Sequence, residues 1–495
     1  MLCFFSAGSF ATFIVAERQS KAKHLQTVAG VTPTAYWLSS FLWDIINYQI
    51  PLWIVIIMLY SFDVSAFIST EKDVASGTII TLMLFGPASA AFTYCVTFLF
   101  DSPSRCNFTV ICFNFLLGLA GPLIVYILDM LAFVPDLKHL ADISSKVTWV
   151  LRWFPCFNLG KALFYVINIP VMQFTAGRSI ETVWDPEILA NEVIFLWFET
   201  FLYLGLAIQI DRSPRLRGIF SLLFDKCRSV PVRENAAELL DEDVVAENER
   251  VASGEANDDH IVLNKLTKIY GRNKVAVDDL SFGIPAGQCF GLLGTNGAGK
   301  TTTMAMLTAE FPPYSGDAWL GGYSVAISPG EIRRRIGYCP QFDAHFTNMT
   351  GREHIELYAC IKGIPSSQVR DATTAKLAEI GLSEKDSNKL SSTYSGGMKR
   401  KLSVACATIG QPPIVFLDEP STGMDPVARR ELWKVISKMV TSVDENGKAR
   451  TSVILTTHSM EECEALCPRI AIMANGKLKC LGSAQVRKKL TFAIN

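Results

Sequence analysis

Gly294 to Thr301, GTNGAGKT, lies between a strand-like apolar run, QCFGLL, and a helix-forming one, TTTMAML. These residue types at this spacing suit phosphate. Glycines let consecutive backbone N–H groups turn toward one anion, and the start of the following helix adds partial positive charge. Gly294, Thr295, Asn296, Gly297, Ala298, Gly299 and Thr302 would form the cradle. Lys300 would reach the β- and γ-phosphates of ATP, and the Thr301 hydroxyl would ligate Mg²⁺.

A second chemical signal is PPIVFLDEP, Pro412 to Pro420. Four apolar residues in succession suit a central parallel strand, and ligands of such sheets gather at the carboxyl ends of the strands. Asp418 falls there, placed to hold Mg²⁺ or its water, and Glu419 is placed to take a proton from an attacking water. A third apolar strand, SVILTTHSM, ends at His458. By spacing alone, His458 is either structural or a contact to the γ-phosphate.

Stepping from the site to what must carry it, the 495 residues divide by composition. Residues 1–220 are apolar and poor in charge, residues 221–260 form an acidic linker, and residues 261–495 are charged and periodic like an α/β domain. The net charge of −1 suggests no polyanion partner, so nucleic acid is excluded from the expected ligands. The 13 cysteines include no CxxC pair. Cys463 and Cys467 sit i, i+4 on an expected helix, but zinc would need two more ligands nearby. Reduced, buried thiols are the expectation.

In the apolar part, Tyr36–Tyr60, Gly77–Phe100, Cys106–Leu128 and Asn191–Ile210 are each long enough to cross about 30 Å of hydrocarbon as a helix. MLCFFSAGSFATFIV lacks a signal peptide's positive start and reads as a fifth span cut at its beginning. The stretch Trp149–Phe174 is broken by Arg152, Pro155, Asn158 and Lys161 and is expected to be a re-entrant or exterior helical hairpin. Arg18, Lys21 and Lys23, and later Arg212, Arg215 and Arg217, place both flanks on the cytoplasmic side. Asp44, inside a span, reads as a helix-packing residue rather than a contact to a transported ligand. Ala16 to Gly30 is either a positive stop to translocation or a helix passing force to the soluble domain, and the two are compatible.

Taken together, these motifs resemble the nucleotide-binding domain of ATP-binding cassette (ABC) transporters. The resemblance makes Tyr270 the aromatic that stacks on adenine. It makes Gln341, in YCPQFDAHF, the glutamine that touches Mg²⁺ and the attacking water. YSGGM becomes the signature motif, with Ser395, Gly396 and Gly397 facing ATP. Asp425 belongs to the STGMDP loop, and His458 becomes the switch histidine. Met398 stands where many such proteins carry glutamine. Runs such as SKAKHLQTVAGVTPTAYWLSSFLWD are similar to the A subfamily, whose members are mostly lipid exporters or flippases. The resemblance implies an α-helical membrane domain of about five spans plus a hairpin, then an α/β P-loop cassette with a helical subdomain. It implies the C-terminal half of a longer transporter, in a membrane that the residues do not name, with the cassette on the cytoplasmic side. It also implies a coupling helix in Arg18–Gly30 and a second cassette and membrane half as partners. Each ATP would lie between the phosphate loop of one cassette and the signature helix of the other, so the chain alone should hydrolyse ATP poorly. Two other readings share some of these motifs: a non-hydrolysing regulatory half, and a soluble ABC-type ATPase of DNA maintenance.

Overall fold

The computed structural model describes residues 2–132, 134–176, 181–213, 241–270, 274–442 and 451–483. Residues 221–240 of the expected linker, Arg215, Arg217 and residues 484–495 lie outside that set. The chain divides into two compact units, Met1–Gln19 with Thr32–Lys226, and Ser20–Val31 with Cys227–Asn495.

In its described residues the first unit is helical. Four helices are long and apolar enough to cross a membrane: Pro33–Ser61, Glu71–Thr97, Pro103–Leu131 and Pro186–Arg212. The fifth expected crossing falls on the helix Leu2–Gln19, which is not among those four. Its last turn carries Glu17, Arg18 and Gln19, which shorten its apolar run. Prolines start three of the long helices, where their missing N–H costs nothing. Thr32 caps the first of these by accepting from the Ala35 N–H.

Three pairs in this unit join polar side chains to one another. The Tyr36 hydroxyl donates to Glu17 at 2.6 Å, Trp37 Nε1 to Asp211 at 3.0 Å, and the Tyr94 hydroxyl to Asp44 at 2.5 Å. Asp44 is thus tied to a neighbouring helix, as a packing residue would be.

Where the hairpin was expected, the chain forms the helices His139–Leu151 and Pro155–Ile167, joined by residues 152–154, and both pack on the helix Gly121–Leu131. The first of them, HLADISSKVTWVL, is partly polar, so an apolar window misses it. A Cβ at Gly160 would clash with the carbonyl oxygen of Gly118, so glycine here permits close contact between two helices. Glu192, fully buried on the last span, accepts from Arg152 at 2.9 and 3.1 Å and from Lys161 at 2.7 Å.

The second unit holds two sheets. Strands β1 (Ile261–Tyr270), β2 (Lys274–Ile284), β4 (Ser315–Leu320) and β5 (Tyr323–Ser324) form an antiparallel sheet in the order β2-β1-β4-β5. The other strands are β3 (Cys289–Gly294), β6 (Ile336–Cys339), β7 (Ile414–Asp418), β8 (Ser452–Thr457), β9 (Arg469–Ala474) and β10 (Lys477–Gly482). They form a six-stranded sheet in the order β10-β9-β3-β8-β7-β6, parallel except for the edge strand β10. Every residue of β7 and β8 is buried, as central parallel strands require. Between β6 and β7 lies the helical insertion, with helices Gly351–Ile361, Ser366–Glu379 and Gly396–Thr408.

Two segments from outside the expected cassette are built into this unit. Within the acidic stretch, Glu242–Ser253 is a helix that buries Val244, Glu247 and Val251. Its Glu247 accepts from the Gly283 N–H at 2.8 Å and from Arg469 at 2.6 Å. The other segment is the helix Ala22–Ala29, which lies in sequence between the helices Leu2–Gln19 and Pro33–Ser61. Its Leu25, Val28 and Ala29 join the cassette core with Tyr338 and Tyr358. His24 lies 3.3 Å from Glu310, and the Lys21 ammonium sits 5.3 Å from the Phe342 ring centroid.

Candidate functional site

The sheet order puts the site together. β3 lies beside β8, and β8 beside β7, so the ends of three parallel strands meet. β3 delivers the glycine loop, β7 delivers Asp418 and Glu419, and β8 leads to His458. The loop bends where glycine is required. Gly297 has φ 83° and Gly299 φ 106°, and a Cβ on Gly299 would lie 2.6 Å from the Ala276 carbonyl oxygen.

Lys300 opens the next helix, Lys300–Leu307, and is 5% exposed. Its ammonium donates to the carbonyl oxygens of Gly294 at 2.6 Å and Thr295 at 3.2 Å, and lies 3.9 Å from Glu419 Oε1. Glu419 has φ 47°, unusual for a residue with a side chain. Its N–H is held by Thr456, through the carbonyl oxygen at 3.0 Å and Oγ1 at 3.1 Å. Three groups converge on Glu419 Oε2: Gln341 Nε2 and the Thr422 hydroxyl at 3.2 Å each, and His458 Nδ1 at 3.4 Å.

Asp418 is 1% exposed, and its Oδ1 accepts from the Thr456 hydroxyl. Oδ2 is buried and has no hydrogen-bond partner among the described residues. Burial pushes this carboxyl above the usual carboxylate range, and the nearby Glu419 charge adds to the shift. The hydrogen bonds with Thr456 and Thr301 and the Lys300 charge oppose it. A buried carboxylate beside a threonine hydroxyl offers the oxygen donors that a hard cation takes.

Thus Lys300, Gln341, Glu419 and His458 are joined by direct contacts, with Asp418 next in chain to Glu419. Tyr270 stands apart from them. It is 40% exposed, its ring is 5.9 Å from that of Phe311, and its hydroxyl is paired with Thr302. Ser395, Gly396, Gly397 and Asp425 make none of those contacts among the described residues. The Ser395 hydroxyl caps its own helix, accepting from the Met398 N–H at 3.3 Å. Nothing lies within 4 Å of a Cβ built on Gly396. Met398 is partly buried against the core of the unit. Asp425 caps the helix Pro426–Thr441, accepting from the N–H groups of Val427 and Ala428 at 3.0 Å each. Those bonds hold its carboxyl below the usual range.

Sequence reasoning missed Arg400. In the run KRK it reads as one more solvated charge, yet it is 5% exposed. The signal was helical spacing, because Arg400 shares a face with the buried Ser403, Val404 and Ala407.

Two family models match the chain: "ABC-2 family transporter protein" over residues 1–208 and "ABC transporter" over residues 277–422. ATP-binding cassette sub-family A member 7 of Rattus norvegicus is 40% identical over 486 residues, covering 97% of this chain and 21% of that protein. Phospholipid-transporting ATPase ABCA7 of Homo sapiens is 39% identical, with 97% and 22% covered. Retinal-specific phospholipid-transporting ATPase ABCA4 of Bos taurus is 40% identical, with 97% and 20% covered. The chain thus spans about a fifth of the length of the curated relatives it matches. A solved ATP-binding subunit of an ABC transporter aligns with 47% of this chain and 93% of its own, at 27% identity and a TM-score of 0.42. With a membrane model over its first part, a cassette model over its second and related sequence over nearly all its length, the chain is similar to ABC transporters, among relatives of sub-family A.

Proposed function

We propose that this chain hydrolyses ATP at composite sites shared with a second cassette and couples that hydrolysis to phospholipid movement across a membrane. The lipid assignment rests on the relatives' names, two of which are phospholipid-transporting ATPases. The cassette, residues 261–495, works on the cytoplasmic side, and residues 1–220 form the membrane part. The observation that carries the chemistry is the convergence of Gln341, His458 and Lys300 on Glu419, beside the unpartnered Oδ2 of Asp418.

The glycine loop from Gly294 to Gly299, with Thr302, cradles the phosphates, and Tyr270 stacks on the adenine. Lys300 exchanges the carbonyl oxygens it now bonds for β- and γ-phosphate oxygens, a stronger charge-assisted pair. Thr301, Asp418 and Gln341 hold Mg²⁺, which when bound supplies positive charge against the charge developing on the phosphates. Glu419 accepts the proton of the attacking water at Oε2, where Gln341 and His458 already point. His458 then steadies the γ-phosphate. Ser395 and Gly396 are exposed and Gly397 is half-buried, as a half-site for another cassette's ATP requires of its leading residues, and Asp425 stands at the same junction.

The test is Glu419→Gln in the protein assembled with its second cassette in lipid nanodiscs. ATP binding should persist while turnover falls by about 10²-fold or more. An unchanged turnover would overturn the assignment. Absence of hydrolysis by the unsubstituted assembly would instead favour a regulatory, non-hydrolysing half.

A further inference from the structure

We propose that Arg400 is the positioning residue that links the two half-sites of this cassette. It would carry engagement of Ser395–Gly397 by another cassette's ATP to Gln341 and Glu419. The inference rests on the function proposed above.

Arg400 sits one turn into the signature helix, Gly396–Thr408, and points into the unit rather than to solvent. All three of its hydrogen bonds go to backbone carbonyls. Nη1 donates to Pro340 at 2.7 Å, and Nη2 donates to Gln341 and, at 3.1 Å, to Glu419. These carbonyls belong to two separate segments, the loop after β6 and the end of β7. One guanidinium therefore fixes the main chain at the two points from which the glutamine and the base project. Asp343, 3.8 Å away, balances part of the buried charge. A planar fork with five donors can serve three carbonyls at once, and an ammonium cannot match that geometry.

A second tie lies further along the same helix. The Ser403 hydroxyl is 3.1 Å from His345 Nε2, so the segment from Pro340 to His345 is attached to the signature helix twice. Glu419 itself holds a positive φ, and Thr456 fixes its N–H. Its carbonyl, held by Arg400, is the part of that residue's main chain that answers to the signature helix. A small shift of the helix is thus passed to Glu419 and Gln341, and a misplacement of about 1 Å is enough to cost about 100-fold in rate.

The test is a double-substitution cycle on ATP turnover by the assembled protein, using Ser395→Ala, Arg400→Gln and both together. Arg400→Gln should lower kcat by about 10- to 100-fold and leave the KM for ATP within about 2-fold. Arg400→Lys should restore only part of the rate, because it keeps the charge but not the fork. The deciding result is the coupling: Ser395→Ala should lose most of its effect once Arg400 is replaced. If the two effects multiply, Arg400 is a structural residue only and the proposal fails. If Arg400→Gln does not fold, the same cycle is run with Arg400→Lys, and multiplying effects overturn the proposal there too. A cycle that multiplies in a protein that hydrolyses ATP defeats only this link. An unsubstituted assembly that does not hydrolyse ATP defeats the function on which it rests.

Discussion

Glu192 in the helical unit and Glu419 in the cassette are both buried acids near a lysine, and they are held in different ways. Lys161 lies 2.7 Å from Glu192 Oε1, and Arg152 adds two hydrogen bonds to the same oxygen. One carboxylate oxygen thus serves two cations, while Oε2 stays buried with no hydrogen-bond partner among the described residues. Lys300, by contrast, spends its short hydrogen bonds on two backbone carbonyls and stays 3.9 Å from Glu419. The contacts on Glu419 Oε2 come from an amide, a hydroxyl and an imidazole. The first arrangement uses charge to fix one helix and the joint before it against another helix. The second keeps a base and a cation close without spending either on the other, which leaves both for a ligand.

One substitution, Glu→Gln, separates the two arrangements. At Glu419 it should cost about 10²- to 10⁴-fold in turnover, the range for a general base, with little change in thermal stability. At Glu192 the order should reverse. Removing that charge leaves Arg152 and Lys161 buried without a counter-ion, worth about 3–5 kcal/mol of stability. The loss should appear as a lower melting temperature of the detergent-purified protein. Folded molecules should keep an unchanged KM for ATP. If Glu192→Gln is as stable as the parent, the cluster is not the clamp described here. Lys161→Met comes next in size. It leaves Arg152 on Glu192, so it should destabilise less than Glu192→Gln, and an equal loss would mean that the lysine is the main partner.

The same contrast explains what could be read from the sequence. Phosphate binding fixes residue types within a few positions of one another, so Lys300, Asp418 and Glu419 stand out locally. The apolar runs that end in those residues mark β3, β7 and β8 as buried strands, while their order in the sheet is set by long-range pairing. Glu192 and Arg152 are 40 residues apart, and no local period joins them. Arg152 and Lys161 were legible only as breaks in an apolar stretch, and the partly polar helix His139–Leu151 was not legible at all. Arg400 was hidden for the opposite reason, because it sits among lysines that stay near the surface. The helix Glu242–Ser253 is acidic enough to read as a linker. It folds onto the sheet because Glu247 finds Arg250, Arg469 and the Gly283 N–H.

A smaller effect tests how open the nucleotide side is. The Tyr270 ring is 40% exposed, with Phe311 at its edge and the Lys268 ammonium 5.7 Å from its centroid. Tyr270→Ala should raise the KM for ATP by about 5- to 10-fold, an aromatic contact of about 1 kcal/mol, with kcat unchanged. Tyr270→Phe should restore the parent value, because stacking needs the ring and not the hydroxyl. A fall in kcat would instead place Tyr270 in the chemistry.

The smallest effect is on stability and appears only in acid. His345 lies on the segment held by the signature helix, and burial pushes its imidazole down to about 3. The nearby His354, Lys399 and Arg400 act in the same direction. The unfolded chain takes a proton at this residue below about pH 6.5, and the folded cassette refuses it until about pH 3. Within that window the unfolded state binds more protons, so stability falls as pH falls, by at most about 1.4 kcal/mol per unit. Above pH 6.5 the imidazole is neutral in both states and contributes no slope. His345→Gln keeps a polar partner for Ser403 but does not titrate. Its melting curve should match the parent's slope above pH 6.5 and fall less steeply between pH 6 and 4. Parallel curves through that range would mean that the imidazole takes its proton in the folded state, and that the loop around Gln341 opens to water more readily than its packing implies.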